Sequence, residues 1–322
     1  MVRSSTQKFR RFIWTRLPNS RGLTADSSDL VKERTPWISR QYFIAILLGV
    51  LSQSLSIPCF ADEQSPNKQE KPSLGHLSVL DPHYGLRNII YAKQDGYAVV
   101  ENDILLTALP QSSKPSKYHD RPAPQAMILL RLGGFRWPDG IVPFSFAPTL
   151  PPQNQLAILD AMMTWEKVTK VRFVELSQNN ADKYSDYLLF TSTDNLKCSS
   201  FVGRQGGPQI IILGPNCATM NVAHELGHAL GLWHEQSRND RDQYIKILWE
   251  NIDEDYRYNF NQHINDGEDF GNYDYQSIMH YTAYAFSKNG QPTIIPLEED
   301  VVIGQRKQLS AKDIAAVNAM YP

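Results

Sequence analysis

One short segment, residues 224–235, restricts what this chain can fold into more than any other part of the sequence. It contains His224 and His228 four residues apart, with Glu225 directly after the first histidine. Residues four apart lie on the same face of an α-helix, so both imidazoles can bind one ion while Glu225 lies beside it without being a ligand. The segment therefore predicts a helical metal site with an adjacent carboxylate.

Gly231 and His234 extend this pattern. His234 lies ten residues after His224, ~15 Å along a straight helix, so it reaches the same ion only where the chain turns back. Gly231 is placed to make that turn, because glycine adopts the left-handed conformation that ends helices. Three neutral histidines with an open fourth position are typical of catalytic zinc. The alternative is a helix whose histidines are only core or surface residues, and the spacing of Gly231 and His234 argues against it.

A second marker is the sequence Ser-Ile-Met-His-Tyr at residues 277–281. Met279 alone would be an ordinary core residue. Together with Gly231 and the third histidine, however, it fits the metzincin pattern and its Met-turn. Within metzincins the chain resembles the astacin family over residues 128–322, on the segments 137–143, 198–207, 234–242, 277–281 and 309–321.

The resemblance implies an α+β zinc endopeptidase with two lobes and a cleft between them. The upper lobe (residues 126–234) would hold a twisted sheet and two long helices, and the lower lobe (residues 235–322) would be rich in loops with a C-terminal helix. It implies one Zn²⁺ bound by His224, His228 and His234. Glu225 would be the catalytic base, Tyr281 an additional ligand and oxyanion donor, and His280 a structural residue. Substrates would be proteins or peptides.

The resemblance also assigns a partner to the N-terminus of the processed enzyme. Cleavage near residues 126–128 would release an ammonium group that becomes buried and pairs, through water, with Glu235; the alternative is that Glu235 anchors local loops with Arg238. Cys198 and Cys217 match a family disulfide, although spacing alone leaves two unpaired thiols possible. A second family disulfide is absent, because Val171 occupies one position and no cysteine follows Cys217.

Residues 62–125 are predicted to be a pro-segment that inhibits the enzyme, ending in a proline-rich linker over residues 107–124. Residues 96–104 resemble the F-x-G-D motif of astacin precursors, with Val100 for phenylalanine and Asn102 for glycine. The resemblance implies that Asp103 binds zinc in the latent precursor. The alternative is an ordinary turn aspartate after a strand.

Residues 1–61 are predicted to be a basic leader with a signal peptide, cleaved after Ala61, so we expect a secreted protein. The uncharged run at residues 42–51 is shorter than the ~20 residues of a membrane-spanning helix, which makes an uncleaved anchor the weaker alternative. Removal of Cys59 would leave an even pair of cysteines for an oxidising compartment.

Composition sets broad limits. The net charge of −2 argues against a polybasic nucleic-acid binder, and 42% hydrophobic residues are enough for a sizeable core. Apolar periodicity predicts a helix over residues 152–170 with a stripe at Leu156, Leu159 and Met163, and a final helix with Ile314, Val317 and Tyr321 in the core. We expect a monomer. Two other functions stay open: an inactive relative that binds peptides or surfaces, and a structural zinc protein.

Overall fold

The computed structural model describes residues 71–81, 85–109, 136–195, 197–263 and 267–322. These residues all belong to one compact unit. The predicted signal peptide, most of the proline-rich linker and the predicted new N-terminus near residues 126–128 lie outside the described residues. Within the described part of the chain, every helix is too short or too polar to span a membrane.

Nine strands of the described chain form one sheet, in the order β1-β2-β3-β4-β8-β9-β7-β5-β6. Their bounds are β1 Leu74–Asp81, β2 Gly85–Gln94, β3 Tyr97–Val100, β4 Ile104–Ala108, β5 Ile141–Phe146, β6 Arg172–Glu175, β7 Tyr187–Ser192, β8 Cys198–Ser200 and β9 Pro208–Leu213. Strand β5 pairs in parallel with β6 and β7, and β7 pairs in parallel with β9. Strand β8 is antiparallel to β9.

The N-terminal segment, residues 71–109, extends this sheet at the edge of β8. Its four strands form an antiparallel meander. The last of them, β4, meets β8 in parallel through the pair Ile104 and Ser200, and Ser200 N–H donates to the carbonyl of Asp103 at 2.9 Å. This pairing places the residues that precede β4 beside the segment with the histidines.

Helix α1, Pro152–Val168, packs against the sheet. Its buried face is Ile158, Leu159, Met162 and Trp165. The predicted stripe was therefore partly wrong: Leu159 is buried, whereas Leu156 is 52% exposed. The apolar residues of this helix are numerous enough that several stripes fit the period, and the neighbouring helix decides between them.

Helix α2, Thr219–Leu230, carries the predicted metal-binding histidines. Two buried indoles fix it, because Trp137 Nε1 donates to the carbonyl of Ala229 and Trp165 Nε1 donates to the carbonyl of Ala223, both at 2.9 Å. Gly231 ends the helix with φ 113°, and its N–H bonds to carbonyls of the last turn. The predicted turn at Gly231 is confirmed.

The second half of the described chain has few regular elements. Strands β10 (Ile245–Ile247) and β11 (Ile294–Pro296) form a small antiparallel pair. Ile245, Ile247 and Ile294 of this pair belong to a second apolar cluster, which also contains Phe260. Helix α3, Ala311–Met320, begins with a capping box between Ser310 and Asp313, as the sequence predicts.

The C-terminus is joined to the first half without a disulfide. Val317 and Tyr321 are buried in the large apolar cluster of that half, while Ile314 is only half-buried. Tyr321 Oη donates to the carbonyl of Leu230 at 2.9 Å and accepts from Trp137 N–H at 3.4 Å. These contacts link the chain end to α2. Cys198 and Cys217 form a disulfide with a Cα–Cα distance of 6.0 Å, so they are not free thiols.

Candidate metal centre

Three buried imidazoles converge after the turn at Gly231. His224 Nε2 lies 3.1 Å from His228 Nε2 and 3.3 Å from His234 Nε2. Four nitrogen ligands placed tetrahedrally around zinc at its usual bond length would lie about 3.3 Å apart. The spacing of the three nitrogens therefore fits one zinc ion, and the predicted return of the chain brings His234 to the other two histidines.

The outward nitrogens of the same rings show which atoms face the centre. His224 Nδ1 donates to the carbonyl of Ile278 and His228 Nδ1 to the carbonyl of Leu232, both at 2.8 Å. A carbonyl oxygen only accepts, so the proton of each neutral ring is on Nδ1 and the lone pair is on Nε2. Converging lone pairs repel one another unless a cation lies between them, which supports a metal here.

Asp103 of the N-terminal segment joins this group. Its carboxylate oxygens lie 3.4 Å from His224 Nε2, 3.8 Å from His228 Nε2 and 3.3 Å from His234 Nε2. The four side chains bring one ligand atom each within 4.8 Å of one another, close enough to hold a metal ion. Oδ1 of Asp103 is buried with no hydrogen-bond donor among the described residues, as expected for an oxygen that faces a cation.

Glu101, two residues earlier, was not predicted as a site residue. Its Oε2 accepts from His234 Nδ1 at 2.7 Å, and its Oε1 accepts from Ser237 Oγ at 2.6 Å and from His263 Nε2 at 2.7 Å. The side chain is 3% exposed. Burial raises the pKa of Glu101, but His263 and His234 outweigh it and lower the pKa to about 2, so this carboxylate is ionised.

A tight turn allows Glu101 and Asp103 to reach the same imidazole. Glu101 and Asn102 have φ values of 47° and 72°, in the left-handed region that asparagine tolerates better than most residues. Asn102 therefore adopts a left-handed conformation that glycine also adopts readily, and glycine is the residue of the precursor motif at this position. Its Oδ1 also accepts from Lys197 Nζ at 2.6 Å, a contact that glycine could not make.

Two further predicted site residues lie at the centre with unpaired polar atoms. Glu225 is 2% exposed, and its Oε2 has no hydrogen-bond partner among the described residues. Burial and the charge of Asp103 raise the pKa of Glu225 well above its usual value. Tyr281 has a buried hydroxyl that also lacks a partner there, and its ring centroid is 4.7 Å from that of His234. Burial raises the pKa of Tyr281, which keeps it a phenol.

Met279 and His280 pack beside the centre. The Met279 side chain is buried against α2 at Gly227, where a Cβ would lie 2.8 Å from the methionine sulfur. His280 is buried with both ring nitrogens bonded, to the Tyr281 carbonyl and the Tyr273 hydroxyl at 2.8 Å each. These contacts suit a structural residue.

Glu235 directly follows the third histidine. Its Oε1 accepts from Asp274 N–H at 2.7 Å and is 3.7 Å from Arg238 Nη1. Burial raises the pKa of Glu235 to about 8. The local pairing with Arg238 is present, while the predicted N-terminal partner lies outside the described residues.

Burial and nearby charges shift the pKa values of the three histidines in different directions. Burial lowers the pKa of His224 to about 4 and that of His228 well below 6.5. For His234 burial acts in the same direction, but Asp103 and Glu101 outweigh it and raise the pKa to about 9. The centre thus attracts one positive charge, either a proton on His234 or a metal ion that all three rings bind.

The part of the chain that holds the three histidines resembles known proteins. Residues 133–322 match the family model described as Astacin, a peptidase family. The chain is 38% identical over 189 residues to zinc metalloproteinase nas-13 of Caenorhabditis elegans, covering 58% of this chain and 41% of the relative. It is 39% identical over 211 residues to the astacin-like metalloendopeptidase of Mus musculus, covering 62% and 46%. The chain thus spans less than half the length of either relative.

A solved structure supports the same fold. The chain resembles high choriolytic enzyme 1, a hatching enzyme zinc-protease from Oryzias latipes, with 34% sequence identity and a TM-score of 0.52. The match covers 58% of this chain and 92% of that structure. The predicted α+β fold of this class is confirmed, and zinc is the metal that the centre fits.

Proposed function

Because the chain belongs to the astacin family, we propose that it is a zinc-dependent endopeptidase that hydrolyses internal peptide bonds of proteins and is synthesised as a latent precursor. One observation carries the proposal: three imidazole nitrogens converge on one point, next to a buried glutamate with an unpaired oxygen. A structural zinc site would be closed by four protein ligands, usually with cysteine. Here the fourth group, Asp103, belongs to the N-terminal segment.

The histidines and Glu225 divide the chemistry between them. His224, His228 and His234 would hold zinc, which when bound acidifies water and polarises a carbonyl oxygen. Glu225 is the general base: its carboxylate takes a proton from the attacking water and returns it to the leaving amine. Burial raises the pKa of Glu225, which favours proton uptake by this carboxylate.

Tyr281 would stabilise the transition state. Its hydroxyl is buried and has no other hydrogen-bond partner in the described structure, so it is free to donate to the oxyanion that develops on the scissile carbonyl. Its backbone N–H donates to Gln236 Oε1 at 3.0 Å, which holds the Met-turn against the segment after His234.

Latency is proposed to follow from Asp103. The carboxylate lies where substrate and water would approach the histidines, and strands β1–β4 attach it to the sheet edge at β8. Cleavage in the proline-rich linker would release residues 62–125 as an inhibitor and leave residues 126–322 as the enzyme. We further propose that the new N-terminus near residues 126–128 pairs with Glu235, whose buried carboxylate already has Arg238 nearby.

Export is the remaining part of the proposal. Residues 1–61 would act as a leader and signal peptide, and the product would be a secreted monomer with two lobes, residues 126–234 and 235–322. The disulfide between Cys198 and Cys217 supports an oxidising compartment.

A peptide-library digest tests the proposed activity. The protein cleaved in its linker should hydrolyse internal bonds, lose this activity in a zinc chelator and regain it when zinc is restored. Cleavage only at peptide ends, or activity that persists after the metal is removed, would contradict the proposal.

A further inference from the structure

We propose that Glu101 is a positioning residue that completes the zinc centre of the precursor, so that removing the N-terminal segment loosens the metal as well as opening the site. The inference rests on the proposed latency and deepens it. It concerns the hydrogen bond from His234 Nδ1 to Glu101, whereas Asp103 lies on the Nε2 side of the same ring.

The Nδ1 atoms of the three histidines, which face away from the centre, donate to different kinds of acceptor. Those of His224 and His228 donate to backbone carbonyls at Ile278 and Leu232, within the part of the chain that the processed enzyme would keep. That of His234 donates to Glu101, which the processed enzyme would lose. The third ligand is thus the one whose orientation depends on the N-terminal segment.

Glu101 is held firmly enough to fill this role. Ser237 and His263 both donate to its Oε1, and the side chain is almost fully buried. Hydrogen bonds to an ionised acceptor are roughly twice as strong as those between neutral groups. Glu101 therefore binds the N-terminal segment to the loop after His234 independently of Asp103.

The two carboxylates contact opposite sides of one imidazole. Asp103 Oδ1 is 3.3 Å from His234 Nε2 and Glu101 Oε2 is 2.7 Å from His234 Nδ1. The left-handed turn at Glu101 and Asn102 makes this possible. A carboxylate on the outer nitrogen of a histidine ligand fixes the ring and raises its basicity, and its loss typically costs roughly 10–100-fold in metal affinity.

Zinc release from the full chain is the direct test. Zinc-loaded precursor is mixed with a colorimetric chelator and the rate of zinc transfer is measured for wild type, Glu101→Gln and Glu101→Ala. We expect release about tenfold faster in Glu101→Ala, with Glu101→Gln between it and wild type, because the amide keeps the volume but loses the charge. Asp95→Asn, an exposed carboxylate in the same segment, is the matched control and should release zinc at the wild-type rate.

Processing gives an internal control. Once the N-terminal segment is removed, the Glu101 variants and wild type yield the same enzyme, so their zinc release rates should become equal and faster than that of the wild-type precursor. Ser237→Ala, which removes one donor to Glu101 and leaves the carboxylate, should shift the precursor in the same direction by a smaller amount. Folding of each variant is checked by its unfolding temperature.

The inference is overturned if folded Glu101→Ala precursor releases zinc no faster than Asp95→Asn, or if precursor and processed wild type release zinc equally fast. Because the readout is zinc transfer, it does not depend on peptide cleavage. A processed protein that binds zinc but cuts no peptide would contradict the proposed function and leave this comparison intact.

Discussion

Asp103 Oδ1 lies 3.3 Å from His234 Nε2, so a side chain of the N-terminal segment reaches the group of three histidines. Burial raises the pKa of Asp103, but His234 and the other two imidazoles outweigh it and hold the pKa well below its usual value. The group is therefore an anion facing a cationic centre.

Replacing Asp103 with asparagine should weaken latency. The amide keeps the shape of the side chain but loses the charge, and a charged contact of this kind is worth ~1.5–3 kcal/mol. We expect the uncleaved Asp103→Asn precursor to cut a fluorogenic peptide at least about tenfold faster than the wild-type precursor. Processed enzyme from both should have equal activity. An Asp103→Asn precursor that cleaves the peptide no faster than the wild-type precursor would show that Asp103 is only a turn residue.

Replacing Tyr281 with phenylalanine should lower kcat with little change in KM. The hydroxyl has no other partner in the described structure, so its removal affects the developing oxyanion, an effect of ~10²-fold for one donor. Zinc content, measured by atomic absorption, should stay at the wild-type level. An unchanged kcat would remove Tyr281 from the proposed mechanism.

Much of the centre was predictable from the sequence because its determinants are local. His224, Glu225 and His228 lie on one helix, and Gly231 fixes the turn that brings back His234. Glu101 was missed because its role depends on the pairing of β4 with β8, and strand pairing between distant segments leaves no local pattern. The sequence signal that could have indicated Glu101 is an acidic residue two positions before Asp103, followed by Asn102, a residue type that tolerates the left-handed conformation of a tight turn.

The same distinction applies to the helices. The capping box at Ser310 is a local signal and was confirmed. The buried face of α1 was predicted only in part, because Leu156 and Ile158 are equally apolar and only the packing against the sheet and α2 decides which one is buried. The hydrogen bond from Tyr321 to the Leu230 carbonyl joins residues that lie far apart in the sequence, and no periodicity predicts it.

Replacing Tyr321 with phenylalanine should destabilise the fold. It removes the hydrogen bonds to the Leu230 carbonyl and from Trp137 N–H and leaves both partners buried, at a cost of ~1–3 kcal/mol. Urea unfolding should show a lower midpoint. Tyr284→Phe, at a side chain that is 42% exposed, is the matched control and should be near neutral. Equal stability of the two variants would contradict a stabilising role for the hydrogen bonds of Tyr321.

Asp186 should make stability depend on pH. Its Oδ1 accepts from Gly207 N–H at 2.9 Å and its Oδ2 accepts from Arg204, and these contacts, the first above all, lower its pKa. The carboxylate therefore contributes stability above its unfolded pKa of about 4, which is lost as the pH falls through the lower folded value. Asp186→Asn should unfold more easily by ~1 kcal/mol at pH 7, with a difference that shrinks below about pH 4. A constant difference over this range would contradict the assignment.

The central claim is that three imidazoles hold zinc while Glu225 transfers the proton. The most direct measurement is the zinc content and peptide cleavage of processed Glu225→Gln beside processed wild type. We predict one zinc per chain in both proteins, with cleavage by the variant lowered by ~10²–10⁴-fold. Wild-type cleavage by the variant, or a wild-type protein that binds no zinc under saturating supply, would contradict the account.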